Sequence, residues 1–171
     1  MKRPRDLTAL LIIACGAALA ACGSETPGNA AMTLPDASPL ASTEPCTLAP
    51  PDTVSKLGGS GPGETEQLGE ARTCVWQVPG LYVFSVDIYD RVGLDNISRR
   101  PDAKDITQVS VGSARHDAMS WTWASSCVYS VGTSPTSRID FATTSGLPEK
   151  NCDTAKIMAD AVEPNLPGQV K

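Results

Sequence analysis

The chain contains one histidine, His116, and it stands next to Asp117. A histidine beside a carboxylate is the commonest general-base pairing, because imidazole titrates near neutrality and the acid can orient it. In extended backbone, though, adjacent side chains point to opposite faces, so this pair meets only across a turn. No Gly-x-Ser-x-Gly elbow presents a serine for His116 to activate. His116 is therefore expected to be satisfied within the fold or to face solvent, and no catalytic residue is assigned.

The carboxylates Asp87, Asp90 and Asp95, and Glu64, Glu66 and Glu70, lie close together but match no calcium-loop register, since the Asp-x-Asp-x-Asp-Gly run is missing. They are expected in solvent, with no metal site. Gly58 to Gly63 suggests a phosphate cradle, yet it lacks the Lys-Ser/Thr of a P-loop and follows no strand, so it reads as a loop. Asn96-Ile97-Ser98 spells a glycosylation sequon and carries no further argument. Trp121 and Trp123 share one face of a strand. With only eight aromatic residues in the chain they are expected in the core, and if exposed they become the candidate ligand or partner contact.

The elements that position these residues are legible from periodicity. Leu48 to Leu57 reads as a short helix, with Pro50 and Pro51 near its first turn and Gly58-Gly59 as a stop. Glu64 to Glu70 continues the loop. From Thr73 the period becomes two. Cys74, Trp76 and Val78 share a face, Pro79-Gly80 turns the chain, and Tyr82, Phe84, Val86 and Ile88 return. Asp90 to Arg100 has weak helical spacing, closed by Pro101. Strands are expected at Ile106 to Val111, Ala118 to Ala124, Cys127 to Val131 and Ile139 to Thr143. Asn151 looks like the N-cap of a last helix carrying Ala155, Met158, Ala159 and Val162 on one stripe. The expected fold is α+β, a mainly antiparallel sheet of about six strands covered by a short N-terminal helix and a C-terminal helix.

Lys2, Arg3 and Arg5 precede an apolar run, Leu7 to Ala20, too short for the ~20 residues that span a bilayer and arranged like a secretory signal. The run ends in Leu19-Ala20-Ala21-Cys22, which resembles the bacterial lipobox, where the thiol is diacylated and the bond before it is cut. Residues 1–21 are then a lipoprotein signal peptide and Cys22 the lipidation site. Losing the leader leaves 11 basic against 18 acidic side chains, a net charge of −7, which argues against nucleic acid as a partner. The membrane contact is the diacylglyceryl and acyl chains on Cys22, at about 0.8 kcal/mol per buried CH₂. Gly23 to Pro45 is rich in Gly, Ser, Thr, Ala and Pro and reads as a disordered tether, so the parts are a 22–45 tether, one domain over 46–167 and a 168–171 tail. With Cys15 in the leader and Cys22 lipidated, Cys46, Cys74, Cys127 and Cys152 make an even set in an exported chain, hence two disulfides. Three pairings are open. The sequential one, Cys46 with Cys74 and Cys127 with Cys152, closes two local loops from the edges of predicted elements and is the one expected. Zinc would need a close C-x₂₋₄-C spacing that is absent.

The lipobox, the Ser/Thr/Pro tether, Pro45-Cys46-Thr47-Leu48, Cys74-Val75-Trp76, Cys127 in a late strand and Asn151-Cys152-Asp153-Thr154-Ala155 together resemble an actinobacterial lipoprotein family labelled as a domain of unknown function. The resemblance implies an extracytoplasmic lipoprotein and supplies neither catalytic residue nor cofactor. A sheet covered by helices is also similar to the PsbP-type sandwich, by fold analogy alone. The expected function is a membrane-anchored, non-enzymatic binding or accessory module of the cell envelope, facing an envelope protein or a small ligand. An envelope enzyme with His116 as base, and a structural or regulatory envelope protein, are the alternatives.

Overall fold

The computed structural model describes residues 37–113, 116–146 and 148–167. The expected leader, the Cys22 lipidation site, tether residues 22–36 and the 168–171 tail lie outside the described residues. Two short helices come first, α1 (Pro45–Leu48) and α2 (Pro51–Lys56). The single helix expected over Leu48 to Leu57 is broken at Ala49 and Pro50, both extended with ψ of 119° and 130°. The cause is local: each is followed by a proline, whose ring pushes the preceding residue out of the α region.

Seven strands follow: β1 (Glu64–Leu68), β2 (Ala71–Val78), β3 (Tyr82–Tyr89), β4 (Lys104–Val109), β5 (Ala118–Trp123), β6 (Ser126–Ser134) and β7 (Ser137–Ser145). They form one sheet in the order β1-β2-β3-β7-β6-β5-β4, with every neighbouring pair antiparallel. The α+β class is as expected, and the strand count is corrected from about six to seven. The additional strand is β1, read from sequence as loop. All five of its residues are exposed, so it has no apolar alternation, and backbone pairing to β2 alone makes it a strand.

One face of the sheet carries the main core. Trp76 lies opposite Phe84, and their rings stack 5.3 Å apart. Val86 faces Phe141 and Ile88 faces Ile139. Helix α3 (Pro148–Val162) lays Ala155, Met158, Ala159 and Val162 over this surface, all buried, as the stripe predicts. Its start is corrected. Asn151 is not the cap but lies inside the helix and is buried; its amide donates to the Ser125 carbonyl and its oxygen accepts from the Ser145 hydroxyl. Leu40 is also in the core, and Arg72 donates to the Leu40 and Thr43 carbonyls while pairing with Asp90 at 2.9 Å. The packed chain therefore begins before Cys46, because one apolar residue in a Ser/Pro-rich stretch leaves no periodic signal.

The opposite face is crossed by the chain itself. Because β7 pairs with β3, strand β4 ends up at the far edge, and residues 90–103 must pass over β7, β6 and β5 to reach it. This strap carries a 3₁₀ helix, Leu94–Arg99, where the sequence suggests a short α-helix. At Gly93 it runs so close to the β6–β7 turn that any side chain there would strike the Pro135 carbonyl oxygen. Ile97 reaches down from it onto Trp121 and Val128, forming a second, smaller apolar cluster.

Both disulfides join helices to the main-core face: Cys46 to Cys74, and Cys127 to Cys152, the sequential pairing. Closed loops of 28 and 25 residues each remove about 3.5 kcal/mol of unfolded-state freedom in the loop-entropy model. Replacing both Cys127 and Cys152 by Ser should lower the unfolding free energy by about that amount, read as an earlier urea midpoint by circular dichroism. An unchanged midpoint would show that α3 holds to the sheet without its staple.

Candidate functional site

The strap face is built around a polar row that strand alternation places there. Thr73, Asp87, Asp140 and Ser130 lie directly opposite one another across β2, β3, β7 and β6, and all four are buried. Arg138, two residues from Asp140 on β7 and hence on the same face, is 1% exposed. Its guanidinium donates to both Asp140 carboxylate oxygens, at 2.8 and 3.1 Å, and to the Val92 and Gly93 carbonyls of the strap, each at 3.2 Å. It also stacks 4.0 Å from the centre of the Tyr89 ring. All three nitrogens of the cation therefore have acceptors, and two of those acceptors belong to the strap.

Asp87 has no such partner. Its Oδ2 accepts from the Ser85 hydroxyl at 3.2 Å, while its Oδ1 and the Thr73 hydroxyl make no hydrogen bond. Burial, and then the neighbouring Asp140 charge, push the Asp87 carboxyl up to about 7 against the nearby hydroxyls and Arg138. A carboxyl raised in the folded state favours folding when protonated. Its ionisation thus begins to cost stability above about pH 4, and the cost is full above about pH 7. Burial, followed by Asp140 and Asp87, likewise pushes the Tyr89 phenol up to about 12.

Beside this row, between the strap and the β1–β2 turn, lies a cleft of about 490 Å³. Tyr89 and Arg138 form its floor, and Leu68, Val92, Asn96 and Pro101 stand among its walls. That size and mixed lining suit a small molecule with an apolar body and a few polar groups. At the rim, Arg100 forms a two-point pair with Asp102 and lies over two rings, 5.0 Å from Trp121 and 5.7 Å from Trp123.

Trp121 and Trp123 share a face as the sequence indicates, but the strap divides them. Trp121 is covered, 3% exposed, and donates its indole N–H to Ser130; Trp123, beyond the strap, is 47% exposed. Asp87, expected in solvent, is instead buried, since its place between Val86 and Ile88 turns it to the strap face. Arg138, Asp140 and Thr73 were not picked out from sequence. A readable signal existed in Arg138-Ile139-Asp140, where two opposite charges flank a core isoleucine and must share the other face.

His116 is remote from the cleft by element, lying between Val111 and β5 against the C-terminal end. It is buried and faces not Asp117, which is exposed, but Glu163. Its Nδ1 lies 2.7 Å from a Glu163 carboxylate oxygen and its Nε2 2.8 Å from the Pro167 carbonyl. Both ring nitrogens meet acceptors, so neither is open to take a proton from a substrate. Glu163 also accepts from the Ser113 backbone and hydroxyl, and Asp160 accepts from the Gly112 N–H. Burial raises the Glu163 carboxyl, but hydrogen bonds from His116 and Ser113 and the His116 charge outweigh it and hold the group below its ordinary range. Among the described residues, no group of three or more His, Cys, Asp or Glu side chains is placed to hold a metal ion, and no helix is long and apolar enough to cross a membrane.

Fold and site together define a disulfide-stapled α+β domain, with an open antiparallel sheet under one long helix and a ligand-sized cleft beneath a strap. Residues 17–165 match the family model described as "Protein of unknown function (DUF3558)", and the chain belongs to that family. No curated protein and no solved structure matches it.

Replacing Glu163 by Ala removes the carboxylate that faces the buried His116 ring and should cost roughly 3 kcal/mol at pH 7, as broken buried pairs do. A lowered carboxylate stabilises fully above its ordinary value of 4.5 and fades as acid protonates it. Urea titrations should therefore show the wild-type advantage at pH 7 shrinking at pH 3. An equal gap at both values would mean that the charge of Glu163 is not what matters.

Proposed function

We propose that this protein is a membrane-anchored extracytoplasmic lipoprotein, of actinobacterial type, whose folded domain is a non-enzymatic binding module for a small ligand of the cell envelope. The observation that carries the binding reading is the cleft floored by Tyr89 and Arg138 under the strap. The engagement of both His116 nitrogens supports binding over catalysis, because general-base chemistry needs a free ring nitrogen within reach of substrate. The anchor rests on Leu19-Ala20-Ala21-Cys22 and the charged, apolar leader before it. A partial parallel with the PsbP-type sandwich is one of architecture and brings no activity with it.

Two measurements separate the halves of this reading. Cells fed an alkyne fatty acid should label the wild-type protein and not Cys22→Ala; an unlabelled wild type removes the anchor. For the cleft, wild-type protein extracted from its own membranes should carry a non-covalent added mass in native mass spectrometry. Asn96→Trp, which fills the cleft from the strap side, should lose that mass. Identical spectra for the two proteins would refute ligand binding there.

A further inference from the structure

The polar part of the cleft lining is lopsided in its hydrogen-bonding capacity. Arg99 and Arg100 come to it from the strap and Arg138 from the floor, against one carboxylate, Glu70. A guanidinium only donates and a carboxylate only accepts, while Asn96 and Tyr89, the other polar side chains there, can do either. Three cations against one anion run counter to the chain as a whole, which has 14 basic and 19 acidic side chains.

Each arginine has a carboxylate partner outside the lining, and the three are held to different degrees. Arg138 is fully engaged, with its nitrogens on Asp140 and the strap carbonyls. Arg100 gives Nε and Nη2 to Asp102 and rests over Trp121 and Trp123, which leaves Nη1 without a hydrogen bond. Arg99 meets Asp95 through Nη2 alone, so its Nε and Nη1 make none. Both side chains of that pair are mostly exposed, 72% and 60%, and such pairs hold weakly. Arg100 is thus a cation already fixed in place, which loses little freedom when a ligand arrives, and its neighbour Arg99 is a cation able to swing. The remaining side chains are apolar: Leu68, Val92 and Pro101. Leu68 is 51% exposed and has apolar surface left for a ligand to cover.

We propose that the ligand of this cleft is an amphiphilic oxyanion, a carboxylate or phosphate ester on an apolar body. Its charged end is taken by Arg99 and Arg100, and its body lies against Leu68, Val92 and Pro101. Guanidinium suits both oxyanions, because its parallel N–H groups meet two oxygens at once. Glu70, on the β1–β2 turn, sets the orientation by repelling the anionic end toward the strap. Arg138, with its nitrogens occupied, shapes the floor. This assignment of ligand class rests on the binding reading above.

The test is titration calorimetry on full-length protein in mild detergent, with a detergent blank subtracted. The probes are phenylbutyrate, phenylbutyl phosphate, the neutral phenylbutanol and inorganic phosphate. At least one of the two amphiphilic anions should bind about tenfold more tightly than the alcohol, as a charge-assisted hydrogen bond allows, and the one that does tells carboxylic acid from phosphate ester. Inorganic phosphate, without an apolar body, should bind more weakly than its ester. Arg99→Glu should weaken the bound anion by about tenfold and leave the alcohol unchanged. An alcohol as tight as the anions, anions indifferent to Arg99→Glu, inorganic phosphate as tight as its ester, or no binding of any probe overturns the proposal. If Arg99→Glu does not fold, ionic strength decides. Added sodium chloride should weaken the wild-type affinity for the anion and not for the alcohol, and equal responses overturn the proposal. The two readings fail separately. A native adduct lost in Asn96→Trp, together with equal affinities for alcohol and anions, refutes only the charge assignment, whereas identical native spectra refute ligand binding itself.

Discussion

Arg138 is the side chain on which the strap face depends. A guanidinium with 1% exposure has given up nearly all its hydration, a loss that attraction to one carboxylate offsets only with good geometry and further hydrogen bonds. Here the geometry is a two-point pair with Asp140, and the further bonds go to two backbone carbonyls of the strap and to the Tyr89 ring. Those carbonyls belong to a crossover that the strand order makes unavoidable, since inserting β7 beside β3 sends β4 to the opposite edge. One buried cation thus pairs the Asp140 carboxylate and ties the strap carbonyls of Val92 and Gly93 to β7.

The two faces of the sheet are organised on different principles. On the helix face, burial is apolar and continuous from Trp76 and Phe84 to Met158 and Val162, and both disulfides tie helices to it. On the strap face the apolar cluster is small, and polar groups fill the space beside it, leaving Asp87 and Thr73 imperfectly served. Stability accordingly concentrates on the first face and adaptability on the second, where the cleft lies. The Glu163, His116 and Ser113 clasp works at a third place. It fastens the chain before β5 and the Pro167 carbonyl to the turn after α3, with both ring nitrogens of the lone histidine engaged there.

Legibility in the sequence followed burial of apolar side chains. The alternation from Cys74 to Ile88 and the stripe from Ala155 to Val162 were readable because one face of each element is oily and the other is not. Strand β1 was invisible because an exposed edge strand made of Glu64, Thr65, Glu66 and Gln67 has no such contrast. The break at Ala49 and Pro50 could have been read from the two prolines alone, whereas the buried role of Asn151 could not, since its partners Ser125 and Ser145 come from other elements. Of the candidate site, Trp121 and Trp123 were visible as a pair, but Asp87, Asp140 and Arg138 looked like ordinary charges.

By itself, the sequence determined the α+β class, the four cysteines available for two bridges, and the faces of the regular strands and of the last helix. These depend on local periodicity and composition, which neighbouring residues set. Only the tertiary structure decided that Asp87 meets Asp140, that Arg138 reaches the strap, that Trp121 is covered while Trp123 is not, and that His116 answers to Glu163 rather than Asp117. Each of these requires residues far apart in the chain to be brought together by strand order, and strand order is a property of the whole packed sheet.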